Sequence, residues 1–176
     1  NLVLAQEQEI SPVFTEKKEW IGCAGSAPHL RGYTCGVWTM FHTLTVNHAA
    51  AFEDEDAATR SVDMVLKAMH GYIKNFFGCT DCSEHFVQMA DNRKMFYIET
   101  VDESVLWLWR AHNEVNKRLA GDATEDPKHP KIAYPAQMHC SACRKGDGTW
   151  NEIEVLNYLK RKYSYSGIVY SDETSS

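Results

Sequence analysis

The chain has 176 residues, enough for one domain with a buried core, and its 44% hydrophobic and 11% aromatic content excludes a largely disordered state. A formal net charge of −6 argues against nucleic acid as the main partner, and no run approaches the roughly 18 apolar residues of a membrane helix. The chain begins with Asn rather than Met and shows no signal peptide, so it is read as a mature segment or an excised fragment.

Residues 1–19 lack sustained periodicity and read as a linker or a surface strap. Gly22, Gly25, Pro28 and Gly32 then interrupt any regular element. From about Tyr33 the pattern becomes helical, with Val37, Met40, Phe41, Leu44 and His48 recurring at three- and four-residue steps to about Ala51. The acidic run Glu53–Asp56 reads as a solvated connection. A second helix is expected over about 57–77, with Val62, Val65, Leu66, Met69, Ile73 and Phe76 as its apolar stripe and Gly78 as its C-cap. A third runs from about Cys79 to Asn92 with Phe86, Val87 and Met89 inward. The fourth covers about 102–119, capped by Asp102 or a neighbour and ended by Gly121. Residues 121–149 are mostly loop. A short fifth helix spans Trp150–Tyr163, its Lys-Arg-Lys run placed where cations complement the helix dipole. Residues 164–176 form a tail, with 171–176 expected to be disordered. No strand pattern is strong, so the expected fold class is all-α: a four-helix bundle with a fifth helix packed on it.

The six cysteines fall into three local pairs, an arithmetic that suits disulfides and an oxidising compartment. Cys79-Thr80-Asp81-Cys82 sits where a helix begins. Unpaired N–H groups and the positive end of the dipole would stabilise a thiolate there, lowering a thiol pKa from about 8.5 to about 7 or below. Three readings remain. A thioredoxin-type motif would follow a strand, and here the pair lies between helices. Half of a zinc site would need Cys140-Ser141-Ala142-Cys143 as its partner, much farther along the chain than the usual ~15–20 residues. A purely structural disulfide would close too short a loop to gain much chain entropy. The redox reading is favoured. Cys23 and Cys35 bracket a glycine-rich turn, and a staple there could contribute ~3 kcal/mol.

Histidines 42, 85 and 112 each sit on a helix. Arg31, Trp38 and His42 share one side of the first helix, and Trp109, His112 and Asn116 recur at i, i+3, i+7 on the fourth. Rings to stack on, amide and imidazole groups for ring edges, and a guanidinium for phosphate would suit a planar phosphorylated ligand. The chain lacks the Gly-x-Gly-x-x-Gly fingerprint, so a dinucleotide would bind outside a Rossmann crevice. Gly-x-Ser-x-Gly and His-Glu-x-x-His are likewise missing, which leaves little support for hydrolase chemistry.

The ordered set Arg31-Gly32-Tyr33-x-Cys35-x-x-Trp38-x-x-x-His42, Cys79-x-x-Cys82-x-x-His85-Phe86, Trp109-x-x-His112-Asn113-x-Val115-Asn116-x-Arg118-Leu119 and Cys140-x-x-Cys143 resembles an Erv-type flavin-linked sulfhydryl oxidase domain. Gly22-Cys23-x-Gly25-Ser26 and His29-x-Arg31-Gly32-Tyr33 resemble the carboxy-terminal oxidase domain of animal quiescin sulfhydryl oxidases, a likeness spanning about 20–163. The resemblance implies FAD in the bundle mouth beside the Cys79/Cys82 disulfide, with contacts from Arg31, Trp38, His42, His85, Trp109, His112, Asn116, Lys131 and Tyr134. Tyr134 stands where relatives often carry Trp. It also implies structural disulfides within Cys23/Cys35 and Cys140/Cys143, and dithiol substrates with dioxygen as the final acceptor, yielding hydrogen peroxide. It further implies a thioredoxin-like module elsewhere in the parent protein, and a Golgi or extracellular location. The competing expectation is a zinc-stabilised, non-catalytic helical module.

Overall fold

The computed structural model describes residues 22–53 and 61–167. Five α-helices follow in order: α1 Gly32–Glu53, α2 Met64–Phe76, α3 Thr80–Asn92, α4 Val101–Leu119 and α5 Glu152–Tyr163, with three short 3-10 turns between and after them. Among the described residues there is no strand, although one antiparallel bridge pairs Arg144 with Trp150. The expected all-α bundle with a fifth helix is therefore what forms. The linker over 1–19, the acidic residues 54–56, the proposed start of the second helix at 57 and the end of the tail lie outside the described residues.

The local sequence explains where α1 and α4 begin. Before α1 the backbone turns sharply, with φ of 59° at Arg31 and 27° at Gly32, and the Thr34 hydroxyl donates to the Arg31 carbonyl at 2.8 Å. Glycine tolerates that region freely, which is why the turn falls there. α4 is capped by Thr100, whose hydroxyl oxygen accepts the Glu103 N–H at 3.1 Å, so the cap is Thr100 rather than Asp102. Asp102 and Glu103 occupy its first turn and Lys117 and Arg118 its last, matching the dipole at both ends.

Two clusters of side chains share α1 and α4. The first joins Val37 and Phe41 of α1 to Leu66, Met69 and Ile73 of α2, Phe86 and Met89 of α3, and Trp107 and Leu108 of α4. The second joins Val46 and Ala49 of α1 to Val105 and Trp109 of α4 and Val155 and Leu159 of α5, with Cys143 buried among them. Because α4 feeds both, it is buried on two sides. Arg110 ties it to α5 through both carboxylate oxygens of Glu152, at 2.9 and 2.5 Å, and holds Glu103 as well. Lys160 of α5 pairs with Asp102 at 2.8 Å.

Several expectations need correction. Ser61–Asp63 form a turn, and α2 begins at Met64. Phe77 in extended conformation, not Gly78, ends it, because the chain must leave α2 outstretched to reach the start of α3. Gly121, by contrast, ends α4 as expected: it follows the C-cap Ala120 with a positive φ of 77°. The fifth helix starts at Glu152 rather than Trp150, since Trp150 is engaged in the bridge to Arg144. Met40, Leu44 and Phe76 are exposed, because α1 and α2 pack over only part of the apolar arc their spacing suggests.

Candidate functional site

Cys79 occupies the N-cap of α3 in extended conformation, and its Sγ accepts the Cys82 N–H at 3.3 Å. It is disulfide-bonded to Cys82, with Cα atoms 5.3 Å apart. Cys79 is exposed and Cys82, one turn into the helix, is half-buried. The Ser83 hydroxyl, itself buried, donates to the Ile73 carbonyl at 3.0 Å and so fastens the start of α3 to the end of α2. Cys79 is thus the more accessible residue of the pair. The geometry suits exchange at Cys79.

α1 and α4, packed side by side, bring together rings that are 70 or more residues apart in sequence. Trp38 stacks on His112 with centroids 4.1 Å apart and planes within 3°. His42 Nε2 lies 3.1 Å from His112 Nδ1, and the His42 ring stacks on Tyr163 of α5 at 4.9 Å. Tyr134 closes the group, 6.4 Å from His42 and 6.2 Å from His112. Burial holds the His42 pKa down at about 3. His112 is pushed well below its ordinary value by burial first, then by His42 and Lys131. Both imidazoles are neutral at physiological pH, so one N–H bridges the pair. Tyr134 and Tyr163 hydroxyls lie 3.1 Å apart, and burial raises both pKa values.

The segment carrying Tyr134 is fixed through its backbone. The Asn113 amide donates to the Tyr134 carbonyl at 2.7 Å while its oxygen accepts the Tyr134 N–H at 2.7 Å. Trp109 Nε1 donates to the same carbonyl at 2.5 Å, and Asn116 donates to the Ile132 carbonyl at 3.3 Å. The Tyr134–Pro135 peptide is cis. A cavity of about 600 Å³ opens beside Tyr134, with Tyr158, His139, Arg161 and Lys162 on its walls.

The sequence-expected residues therefore divide. Trp38, His42, His112 and Tyr134 form one ring cluster. Trp109 and Asn116 act on the 132–134 backbone; the Trp109 ring is buried edge-on against Trp150 at 4.9 Å. The Lys131 N–H donates to Glu125, and the nearby charge of Lys131 depresses His112. His85 is exposed on α3, one turn past Cys82. Arg31 turns into the Cys23–Cys35 loop, its guanidinium donating to the Ala24 carbonyl at 3.0 Å and lying 3.8 Å from Cys35 Sγ. That loop is closed by the Cys23–Cys35 bond, Cα atoms 5.6 Å apart, and anchored where Ser26 donates its N–H and hydroxyl to Asp126 at 2.8 and 2.5 Å. Spacing did not reveal Asn113 as a clamp, Tyr163 as a stacking partner, or Arg161 and Lys162 as cavity walls. The Lys-Arg-Lys run was the one available signal for the last two.

Cys140 and Cys143 are bonded to each other, Cα atoms 5.3 Å apart. Cys143 is fully buried beneath α5, and its carbonyl accepts the Asn151 N–H at 2.9 Å. The four sulfurs of the two Cys-x-x-Cys pairs do not converge, and no cluster of metal-ligating side chains exists among the described residues. The zinc alternative has no ligand set here.

Residues 35–135 match the Erv1/Alr family. The chain is 46% identical over 171 residues to sulfhydryl oxidase 2 of Mus musculus, a match covering 93% of this chain and 24% of that protein. It is 44% identical over 160 residues to sulfhydryl oxidase 1 of Homo sapiens, covering 89% of this chain and 21% of that protein. Among solved structures it superposes on the sulfhydryl oxidase fragment of human QSOX1 with a TM-score of 0.77 at 44% identity, over 88% of this chain and 61% of that one. The chain thus spans only about a fifth to a quarter of the length of the curated relatives it matches.

Proposed function

This chain belongs to the Erv1/Alr family, and from that premise we propose that its region 20–163 is an FAD-dependent thiol oxidase domain that makes disulfides in substrate dithiols. The observation that carries the proposal is the Cys79–Cys82 disulfide at the head of α3, with Cys79 exposed. The ring cluster fits a planar cofactor. Two stacked ring pairs lie in it, and the buried His42 Nδ1 has no hydrogen-bond partner among the described residues. A buried imidazole nitrogen left unpaired is costly, and a ligand edge would satisfy it.

Trp38, His42, His85, His112 and Tyr134 would hold the ring system, Trp109 and Asn116 would fix the backbone beside it, and Lys131 would carry charge toward phosphate, joined by Arg31 once its guanidinium leaves the Cys23–Cys35 loop. When bound, FAD supplies the two-electron chemistry, taking the pair from a dithiol and passing it to dioxygen, which becomes hydrogen peroxide. The protein's own part begins at Cys79. A substrate thiolate attacks Cys79 Sγ, the bond to Cys82 breaks, and Cys82 leaves as a thiolate; the substrate's second thiol then displaces Cys79 and departs as a disulfide. Cys82 is left holding the electron pair on the inner side of the motif. His42 and His112, kept neutral by burial, can donate or accept at a ring edge without adding a charge.

The relatives' greater length fits a parent protein in which a thioredoxin-like module delivers electrons from protein clients, and paired disulfides fit a secretory location, Golgi or extracellular. No helix among the described residues is long and apolar enough to cross a membrane. The test is the visible spectrum of the purified chain before and after dithiothreitol. Flavin bands that bleach with thiol and return on aeration are expected; a colourless chain that fails to bind added FAD would overturn the proposal.

A further inference from the structure

Cys79 is exposed at the end of an extended link, so something other than burial must hold its sulfur within bonding reach of Cys82. Tyr33, in the first turn of α1, meets that link. Its ring lies 5.7 Å from the Phe77 ring at 30°, and its hydroxyl hydrogen-bonds the hydroxyl of Tyr72 on α2. Tyr72 in turn packs on Phe41 at 6.1 Å and on Phe76 at 6.2 Å. Tyr33 therefore touches the segment leading into Gly78 and Cys79 both at Phe77 and at Tyr72, five residues before it. Its own backbone is held by the Arg31–Gly32 turn and by Cys35, two residues on, which the disulfide ties to Cys23.

We propose that Tyr33 is the positioning residue of the Cys79–Cys82 disulfide, bracing the Phe77–Gly78 link through Phe77 and Tyr72 so that the two sulfurs stay close in the reduced state. Ser83 fixes the helix side of the motif and Tyr33 the link side. Holding the thiols together raises the effective concentration of one for the other and favours the disulfide over the dithiol. That this disulfide is the entry point for substrate electrons rests on the proposed function; the bracing does not.

The experiment equilibrates the purified chain anaerobically in glutathione redox buffers, quenches with acid, alkylates, and reads each cysteine pair by mass. Reduction of Cys79–Cys82 consumes two glutathione thiols and yields one glutathione disulfide. With Tyr33→Ala, the equilibrium constant for that pair is expected to move about tenfold toward the dithiol, a midpoint about 30 mV less negative, while Cys140–Cys143 stays oxidised. Tyr33→Phe keeps the ring contact and loses only the hydrogen bond. It should shift the constant about threefold, Tyr72→Phe should match it, and the double variant should go no further. A Tyr33→Ala constant within about twofold of the unaltered chain would overturn the bracing. So would a shift in which Cys140–Cys143 becomes reducible too, since that is general loosening. Should Tyr33→Ala fail to fold, the two Phe variants decide alone, and no shift in either counts against it. If the unaltered chain fails to oxidise dithiothreitol in air, the proposed function falls, and the midpoints still judge the bracing.

Discussion

The two Cys-x-x-Cys disulfides share a spacing and a Cα separation of 5.3 Å, yet they sit in opposite surroundings. Cys79–Cys82 heads a helix, with Cys79 exposed and Cys82 half-buried, in a segment held by Ser83 and by aromatic contacts. Cys140–Cys143 lies under α5, with Cys143 packed among Val46, Val105, Trp109, Val155 and Leu159. Exchange needs a thiolate to approach along the S–S axis; Cys79 is the one exposed cysteine of the four, Cys82 and Cys140 are half-buried, and Cys143 is buried. Spacing makes a disulfide possible; access decides whether it turns over.

The contrast is broken most directly at the inner sulfur of the first pair. Cys82→Ser should abolish dithiol oxidation down to the uncatalysed background while the flavin spectrum persists, because no inner thiol remains to hold the electron pair. Turnover retained in that variant, measured as oxygen uptake, would remove the distinction between the pairs. The matching change at the second pair, Cys140→Ala with Cys143→Ala, should leave dithiol turnover in place and lower stability by about 2 kcal/mol, read as a reduced denaturation midpoint. Loss of turnover in the folded double variant would give the buried pair a redox role.

Acid offers a smaller and reversible probe. Burial holds the folded pKa of His42 down at about 3, below its unfolded value of about 6.5. The unfolded chain therefore binds a proton that the folded one refuses, so this stability is fully present above pH ~6.5 and is lost as pH falls toward ~3. Between about pH 7 and about pH 5.5 the loss from His42 is about 1 kcal/mol, readable by urea unfolding and removed in His42→Phe. A His42→Phe chain with the same slope in that window would mean the imidazole is not the responsible group. Asp126 titrates in a different window. Burial opposes its charge, but the Ser26 bonds outweigh it and hold the pKa down at about 2, so its contribution fades only as pH falls through that value.

Much of the fold was legible in the sequence because three- and four-residue apolar spacing is a local signal that survives packing. Helix ends were less legible. Gly78 looked like a cap, but the route to Cys79 required Phe77 to be extended, a demand made by where α3 lies. Met40, Leu44 and Phe76 matched the apolar stripes and stayed exposed, since period reports a face and not what covers it. For the site, residue types and spacing brought out Trp38, His42, His112 and both Cys-x-x-Cys pairs. Asn113 and Tyr163 were illegible. Asn113 acts on a backbone 21 residues away, and Tyr163 reaches His42 only because α5 packs against α1.

By itself, then, the sequence determined that this chain would fold as helices, that its cysteines would pair locally, and which family its ordered motifs belong to. Each of these depends on spacing along the chain. The packing of α1 and α4 decided that Trp38 would face His112, and the tertiary placement of the two Cys-x-x-Cys pairs left Cys79 open and Cys143 closed. Those outcomes rest on contacts between distant segments, and only the closed core fixes which side chains meet and which sulfur the solvent can reach.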